Sequence, residues 1–332
     1  MATAIDAAAR WRELLEDARW APSPHNVQPW RLRCDADGGA ALLCPPDRLL
    51  PDTDPAGLFT AVGIGCFIES LAVAAAAQDL SLTVRRTGAN PGDVEPVALL
   101  ALAPGGRDRL ERAFLHRRRT SRLPYDGRPV DLGLLEELER IASGFGHRWT
   151  ATDDRELVDW VVALNRETLF LDMADPVARG EVGRWLRFSA AEAARRGDGF
   201  SPAQLGFPGW LLRLFFRRHR LLALPGIRHA SRALYGRTMR GTRTVAWLRG
   251  PFETVDNGLV AGRMLMRLWL TTTRSGVQIH PFGSVITNAT ANARLQERIG
   301  ADDGTLWLVM RLGHSVEPPR SHRQETRELL VS

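Results

Sequence analysis

The sequence contains no lysine, so all 44 of its basic side chains are arginine. Arginine carries a permanent, planar charge that binds phosphate through paired hydrogen bonds. A net charge of +6 would also suit a nucleic-acid-binding protein. The arginines are, however, spread along the chain and mixed with acids rather than gathered in one basic arm. This distribution argues against a nucleic-acid partner and favours a small-molecule substrate.

Cysteine is scarce, and Cys34, Cys44 and Cys66 form an odd set without a Cys-x-x-Cys pair. Such a set argues against a disulfide framework and against a zinc site, so no metal is expected. No apolar run is predicted to span a membrane, and the first residues lack the basic and apolar pattern of a secretory signal. Together these features predict a cytoplasmic protein.

Several catalytic motifs are also missing. Gly63 and Gly65 could begin a dinucleotide-binding fingerprint, but Ile68 stands where its third glycine should be. The sequence has neither a His-Glu-x-x-His pair nor a Gly-x-Ser-x-Gly elbow. His25 is more typical of a hydrogen-bonded structural histidine than of a catalytic acid. The catalytic residues are therefore unknown at this level, and no side chain is assigned acid–base work.

The most informative stretch lies between two tryptophans and reads Trp20-Ala-Pro-Ser-Pro-His-Asn-Val-Gln-Pro-Trp30. Three prolines make it a poor helix and a poor central strand, so a stiff loop is predicted. Ser23, Asn26 and Gln28 offer hydrogen-bonding groups, and the tryptophans offer flat apolar surface. Such a loop suits the edge of a planar, heteroatom-rich ligand. The alternative is a rigid interdomain loop whose tryptophans lie in the core.

The chain contains an internal repeat. From Gly63, and again from Gly258, an apolar helix led by glycine ends and feeds a short extended segment. Setting Gly65 on Gly262 aligns the apolar positions of the two helices. Apolar residues occur all around both helices, which indicates burial on most faces.

The repeat predicts two modules, residues 1–105 and 106–332, the second with an insert at about 197–242. Long helices with few short strands, and no repeated strand–helix alternation, indicate an α+β fold. A helix is expected over about 107–119. The predicted strands are a hairpin of Trp30–Cys34 and Ala41–Cys44, and buried strands at Val97–Leu102, Val245–Leu248 and Leu306–Leu312.

A second motif, Arg117-Arg118-Arg119-Thr120-Ser121-Arg122-Leu123-Pro124-Tyr125, crowds four arginines near a helix end. Like charges this close repel one another, and a bound anion would relieve the repulsion. A solvated charged face is the alternative. Two further stretches are Ser275 to Ser284, which could be a simple turn, and the basic tail from Arg311 to Arg323, which could be solvated.

Residues 21–31 resemble the A-P-S-x-H-N-x-Q-P-W-R signature of nitroreductase-like FMN oxidoreductases, in particular the single-chain, two-module branch called Acg-type. The resemblance implies two fused modules that mimic a dimer, each with a small, mostly antiparallel sheet packed against long helices. It also implies FMN as the cofactor and NAD(P)H as a transient electron donor. The loop signature occurs only in the first module, and the motif of four arginines between Arg117 and Arg122 occurs only at the start of the second. One FMN per chain is therefore predicted.

Carried over by position, the resemblance assigns cofactor contacts in all four stretches. The assigned residues are Pro22, Ser23, Asn26 and Gln28 beside the flavin; Arg118 at the phosphate or ribityl chain; Thr120 and Arg122 at the pyrimidine edge; Gly283 and Ser284 as backbone donors facing flavin N5; and Arg320 and Arg323 at the phosphate. The family's P-x-x-G spacing is altered to Pro281-Phe-Gly-Ser in this sequence.

The resemblance implies that hydride passes from NAD(P)H, through flavin N5, to a small acceptor such as a nitroaromatic, a quinone or a pathway intermediate. The alternative is a protein that sequesters FMN beneath a closed lid with little turnover. The insert at 197–242 is interpreted as that lid. Its basic amphipathic part, residues 208–225, could instead contact a membrane surface, a less favoured interpretation. A single chain is expected to act as a pseudo-dimer, and further dimerisation stays open.

Overall fold

The computed structural model describes residues 4–218, 220, 224–301 and 304–331. Its helices are α1 (Ala4–Ala18), α2 (Leu58–Ala76), α3 (Arg112–Arg117), α4 (Leu132–Gly144), α5 (Arg155–Ala174), α6 (Pro176–Arg184), α7 (Ala190–Arg196), α8 (Pro202–Leu205), α9 (Gly209–Arg217), α10 (Pro225–Thr238), α11 (Val255–Arg274), α12 (Gly283–Thr287), α13 (Ala289–Ile299) and α14 (Thr326–Leu329). Its strands are β1 (Arg31–Cys34), β2 (Ala40–Leu43), β3 (Leu80–Arg86), β4 (Ala98–Pro104), β5 (Arg148–Thr152), β6 (Thr244–Arg249), β7 (Gln278–Pro281), β8 (Leu306–Gly313) and β9 (Leu330–Val331).

Two sheets repeat one connectivity. The first runs β3-β4-β2-β1 and the second β7-β8-β6-β5, and every one of these neighbouring pairs is antiparallel. In each sheet a long helix, α2 or α11, separates the second strand from the third. The repeat read from the sequence is therefore a structural repeat. The chain has an α+β fold built from two fused modules of the same design, as predicted.

The two repeated helices cross at glycines. A Cβ on Gly65 would lie 2.2 Å from the carbonyl oxygen of Leu259, and one on Gly262 would lie 2.1 Å from that of Val62. Only glycine permits backbones to approach this closely. The two residues that the sequence repeat aligns thus meet in space. Equivalent residues meet in this way beside a two-fold axis, so α2 and α11 form the centre of the pseudo-dimer.

The C-terminal strand crosses from one module to the other. β9 pairs in parallel with β1, Leu330 opposite Leu32, and so becomes a fifth strand of the first sheet. Leu329, just before it, is fully buried. The sequence division at residue 105 did not anticipate this exchange, because a strand this short lacks a periodic pattern.

Most predicted elements are confirmed. The hairpin is β1 and β2, and β6 and β8 are the predicted buried strands. The third, β4, is a strand but is buried only at Ala98 and Leu100, because its outer face is exposed. The helix predicted over 107–119 was too long, since α3 covers only Arg112–Arg117. A turn precedes it, in which the Asp108 carboxylate accepts a hydrogen bond from the backbone N–H of Leu110.

The expectation that no segment could span a membrane also needs correction. By length and composition alone, α2 qualifies, with 19 residues and a mean hydropathy of 1.9. However, 83% of its apolar window is buried inside the fold. The helix is apolar because it packs against α1, α11 and the first sheet, as the core helix of a globular protein does.

Candidate functional site

The loop from Trp20 to Trp30 is held in a strained path. His25, Asn26 and Gln28 have φ angles of 48°, 57° and 54°, in the left-handed region that non-glycine residues rarely adopt. The Ser23 hydroxyl accepts a hydrogen bond of 3.0 Å from the backbone N–H of Gln28 and closes the turn. Backbone held in this region is common at ligand sites, where the surrounding structure compensates its cost.

Two predicted loop contacts face the protein. The Asn26 side-chain amide donates to the carbonyl oxygens of Gly199 and His322, each at 3.1 Å. The Gln28 amide donates to Gly197 at 2.8 Å, and its oxygen accepts from the backbone N–H of Gln324. Neither side chain lines the cavity described below. Both instead fasten the loop to the start of the insert and to the tail.

Arginines from distant parts of the sequence meet around Trp20. Arg118 and Arg323 each donate to its carbonyl oxygen at 3.2 Å. The guanidinium of Arg320 lies 3.3 Å from the centroid of its ring, and Arg19 lies 5.4 Å from it. We call Arg19, Arg118, Arg320 and Arg323, together with Arg119 beside them, the arginine cluster. Arg320 and Arg323 were predicted to contact the FMN phosphate, and Arg118 was predicted to contact the phosphate or the ribityl chain.

In the arginine cluster, Arg19 pairs with Glu16 and Arg119 with Glu317, whereas the other three members have no carboxylate partner among the described residues. The Nε and one terminal nitrogen of Arg118, and the Nε of Arg119 and of Arg323, are buried without a hydrogen-bond acceptor in the described part of the chain. Burial lowers the pKa of Arg118 to about 10. Burial and the neighbouring arginines, Arg118 foremost, lower that of Arg323. Buried donors without acceptors are costly, so the cluster is suited to a multiply charged anion.

A cavity of about 480 Å³ lies beside the arginine cluster and between the two modules. This volume suits a small organic molecule or a cofactor ring. Trp269, whose ring lies 4.7 Å below the Arg118 guanidinium, forms part of its wall. Six of the predicted contacts line it: Pro22, Ser23, Thr120, Arg122, Gly283 and Ser284. Arg118, Arg320, Arg323, Asn26 and Gln28 do not.

Two nitrogen-bearing side chains offer unused groups to the cavity. The Arg122 guanidinium lies 4.9 Å from the Phe200 ring centroid, and no acceptor for it is found among the residues that the structure describes. The Nδ1 of His25 is likewise buried without a partner. Burial lowers the pKa of His25 to about 4, a shift that Glu181 opposes and Arg122 reinforces. At neutral pH the cavity therefore presents a cationic guanidinium and an uncharged imidazole.

Backbone donors come from the start of α12. Gly283 and Ser284 occupy its first turn, where backbone N–H groups have no partner inside the helix. The Asp172 carboxylate of α5 also lines the cavity and accepts a hydrogen bond of 3.2 Å from the Asn288 side-chain amide. Burial raises the pKa of Asp172. The sequence-predicted donors thus reach the cavity wall, next to an acid that sequence reasoning did not select.

The insert covers the cavity. Leu205 and Phe207, Phe215 and Phe216 of α9, and Tyr235 of α10 line it. Part of the predicted amphipathic stretch, residues 219 and 221–223, lies outside the described residues. The cover is larger than the sequence indicated, because residues of the second half of α5, together with Ala178 and Val182 of α6, extend the same wall.

A buried carboxylate fastens this cover to the first module. Glu181 of α6 is fully buried and accepts hydrogen bonds from the backbone N–H groups of Asp52 and Thr53, at 3.1 and 2.8 Å. The Thr53 hydroxyl donates to it as well. Farther along, Asp198 pairs with Arg187 and Arg48, so the start of the insert is also tied down.

Sequence reasoning missed three polar residues at the cavity. His280 and Tyr235 line it, and Arg311 lies behind them, fully buried. Arg311 donates to the Nδ1 of His280 at 3.3 Å and to the carbonyl oxygens of Thr238 and Leu123, both at 2.9 Å. Its contacts include no carboxylate among the described residues, which adds positive potential behind the cavity wall. An arginine inside an otherwise apolar strand was the available signal.

Proteins of similar sequence are named as nitroreductases. No protein-family profile matches the chain. The Mycobacterium tuberculosis protein Acg, named as an NAD(P)H nitroreductase, is 37% identical over 122 residues, which are 35% of this chain and 35% of Acg. The match thus spans about a third of that relative's length. PigM of Serratia, also named as an NAD(P)H nitroreductase, is 26% identical over 302 residues, 85% of this chain and 82% of PigM.

The chain is thus similar in sequence to two proteins that are named as NAD(P)H nitroreductases, Acg and PigM. Solved structures include a nitroreductase with FMN from Desulfovibrio desulfuricans, 12% identical with a TM-score of 0.39, covering 66% of this chain and 94% of that one. The FMN- and NADPH-dependent nitroreductase NfnB of Sphigopyxis is 18% identical with a TM-score of 0.37, covering 66% and 97%. The stretches on which the nitroreductase resemblance rests are those that meet at the arginine cluster and the cavity.

Proposed function

We propose that this chain is an FMN-dependent oxidoreductase of the nitroreductase type. It would use NAD(P)H to reduce a small organic acceptor, such as a nitroaromatic, a quinone or a pathway intermediate. One observation carries the proposal: stretches about 100 and 300 residues apart in the sequence converge on an arginine cluster beside a single cavity. The relatives' names supply the reaction class.

The residues present suit both the phosphate end and the ring end of FMN. The unpartnered nitrogens of Arg118 and Arg323, with Arg320 across Trp20, form a cationic pocket for a phosphate. Pro22, Ser23 and Gly63 form one wall of the cavity, where a Cβ on Gly63 would lie 3.2 Å from that of Ser23. The absence of a side chain at Gly63 lets the loop at Ser23 and Pro24 pack closely against α2.

Bound FMN would supply the redox chemistry, accepting a hydride from NAD(P)H and passing it to the acceptor. The chain supplies charge, orientation and shelter. Arg122 and Thr120 would hold the pyrimidine edge, with Arg122 as the nearby cation. The first-turn N–H groups of Gly283 and Ser284 would face the ring's centre. The aromatic wall of the insert excludes water from the cavity.

Acid–base catalysis by a side chain is not part of the proposal. His25 is uncharged because burial lowers its pKa to about 4, so it would not serve as a proton donor at neutral pH. Its Nδ1 can hydrogen-bond a bound ring or acceptor. Electron transfer through a cofactor requires mainly that donor and acceptor be held in register over it.

The test is the visible spectrum of the purified chain, reconstituted with FMN and recorded anaerobically before and after NADPH is added. We expect flavin absorption bands that bleach on addition of NADPH and return with a quinone or nitroaromatic. A chain that retains no flavin after reconstitution would contradict the proposal. A control without NADPH, kept under the same illumination, separates reduction by NADPH from photoreduction.

The cover over the cavity favours a second candidate function, the sequestration of FMN with little turnover. Residues of α5, α6, α9 and α10 line the cavity, where they would limit the access of a nicotinamide to a bound flavin. Glu181 and Asn26 hold this cover to the first module through buried hydrogen bonds. Flavin bands that persist with excess NADPH but bleach with dithionite would select this candidate over the first.

Localisation and assembly follow as proposals too. The cavity takes both its walls from one chain, so a monomer would carry a complete site. We keep the cytoplasmic location as a prediction, and a small molecule as the expected substrate.

A further inference from the structure

The insert has an outer face that the proposed function does not use. Between Asp198 and Glu253 the sequence contains no acidic residue. The arginines in that interval are Arg213, Arg217, Arg218, Arg220, Arg228, Arg232, Arg237, Arg240, Arg243 and Arg249. A second acid-free stretch, between Asp256 and Glu297, carries only Arg263, Arg267, Arg274 and Arg294, so the stretch that includes the insert carries the larger positive charge. It gives the cover over the cavity a strongly positive character.

Helix α9 divides its side chains between two environments. Leu212 is buried, and Phe215 and Phe216 line the cavity. On the opposite side, Trp210 is 70% exposed and Leu214, one helical turn later, is 40% exposed. Leu224, at the start of α10, is 51% exposed. The inner face of the helix thus lines the cavity, and the outer face carries large apolar side chains that are exposed in the described part of the structure.

Arginines flank this apolar stripe. Arg213 and Arg217 are exposed and lie one turn apart on α9, and Arg218, Arg220 and Arg228 are exposed around them. None of these five has an acidic partner in the part of the chain that the structure describes. Arg213 does lie 5.4 Å from the Phe188 ring centroid, which orients its charge without neutralising it.

We propose that the outer face of α9 and the start of α10 docks on an anionic lipid bilayer. Tryptophan and leucine on one side of a short helix, with arginines beside them, is the arrangement of helices that lie in the bilayer interface. The arginines would contact anionic headgroups while Trp210, Leu214 and Leu224 enter the acyl boundary. A nucleic acid would match the arginines but leaves the exposed leucines unexplained. The covering of the cavity and membrane contact thus use opposite faces of one helix.

The test is co-sedimentation of the full chain with vesicles. We expect binding to vesicles of equal parts phosphatidylcholine and phosphatidylglycerol, little binding to phosphatidylcholine alone, and weakening as salt is raised. The double variant Arg213→Gln with Arg217→Gln should lower the partition coefficient about 25-fold, because each surface arginine contributes about fivefold. Trp210→Ser with Leu214→Ser should abolish binding while leaving the charge unchanged.

A matched control removes the same charge elsewhere. Arg107 and Arg109 are exposed in the connection before α3, which is distant in sequence from the insert. Arg107→Gln with Arg109→Gln should change the partition coefficient less than about twofold. Equal losses in the two arginine pairs would show non-specific attraction of a basic protein and overturn the proposal.

Other outcomes would overturn it as well. Equal binding to neutral vesicles, no binding to either kind, or insert-dependent binding to a DNA duplex without vesicle binding would each do so. The proposal would also be overturned if the chain ran as a dimer in gel filtration without vesicles and the double variant Trp210→Ser with Leu214→Ser ran as a monomer. Circular dichroism and thermal unfolding confirm that each variant is folded. The two pairs of substitutions test charge and apolar contact separately. If one double variant fails to fold, the other still tests the proposal.

Discussion

At the scale of single residues, the site is recognised by buried polar atoms without partners. Arg118 and Arg323 keep unpaired nitrogens, and so does the imidazole of His25. A folded protein seldom leaves such groups unsatisfied unless a ligand uses them. The sequence indicated the arginines because four of them are crowded into six positions. It did not show which nitrogens are free, since that depends on carbonyl groups such as that of Trp20.

Replacing Arg118 by glutamine should weaken FMN binding about 10- to 100-fold, the effect of losing a hydrogen bond to a charged group. The free energy of unfolding of the flavin-free chain should not fall, because a poorly paired buried charge is removed. Fluorescence titration with FMN and urea unfolding measure the two quantities. Arg117→Gln is the control, since Arg117 is exposed and rests on Phe114. Equal FMN affinity in Arg118→Gln and the unmodified chain would contradict the phosphate assignment.

Replacing Arg122 by glutamine should lower the reduction potential of bound FMN. A cation at the pyrimidine edge stabilises the negatively charged reduced form, and its loss corresponds to about 30–60 mV for a two-electron couple. Equilibration with redox dyes measures the potential. Arg117→Gln serves as control again. An unchanged potential would place Arg122 away from the ring.

Acid should destabilise the flavin-free chain through His25. Its pKa is about 4 in the folded protein against an ordinary 6.5, so the unfolded chain binds the proton first as pH falls. Above pH 6.5 the shifted pKa of His25 leaves the free energy of unfolding unchanged. As the pH falls from 6.5 towards 4, it lowers the free energy of unfolding by about 3 kcal/mol. His25→Asn should flatten this part of the pH dependence of unfolding, and asparagine tolerates the left-handed backbone. The same slope in His25→Asn and in the exposed control His229→Gln would refute this role.

At the scale of elements, the pairing of α2 with α11 organises the fold. The sequence predicted both helices and aligned Gly65 with Gly262, because apolar periodicity and glycine spacing are local signals. The length of the cover was not predicted. Its α5 and α6 portions lie within the second module, and only long-range contacts such as Glu181 with Thr53 bring them to the cavity.

Substituting Gly65 by valine should lower the free energy of unfolding by at least about 1–3 kcal/mol, since the new side chain collides with the Leu259 carbonyl group. Gly180→Ala in α6 is the control, because a Cβ there meets nothing within 4 Å. It should be neutral or stabilising by up to about 1 kcal/mol. Urea unfolding measures both. A Gly65→Val chain as stable as Gly180→Ala would show that the helices do not approach this closely.

At the scale of the whole molecule, a pseudo-two-fold arrangement carries one site rather than two. The repeat that places Gly65 on Gly262 also places Gly63 on Val260 and Cys66 on Arg263. Gly63 lies under the loop at Ser23, whereas Val260 is 42% exposed. Arg263, instead of lining a cavity, pairs with Glu69 at 2.9 Å. In the described part of the chain, the second location therefore has an exposed valine and an ion pair where the first has a covering loop and a cavity wall.

This asymmetry predicts one FMN per chain. After reconstitution and removal of free flavin, the absorbance of flavin released by denaturation, divided by protein concentration, should give one flavin per chain. Arg263→Ala should leave that ratio unchanged, because the loop is missing even when the ion pair is broken. A ratio approaching two in either protein would contradict the single-site arrangement.

The sequence by itself determined the two modules, most strands, both central helices and the stretches that supply the candidate site. These follow from local signals: apolar periodicity, proline and glycine positions, and crowded charge. Only the tertiary structure decided which side of the loop is used. It turned Asn26 and Gln28 towards Gly199 and Gln324, while Pro22 and Ser23 reach the cavity. It also moved β9 into the first sheet and left one location without a cover. Those outcomes depend on contacts between residues far apart in the chain, which no local pattern encodes.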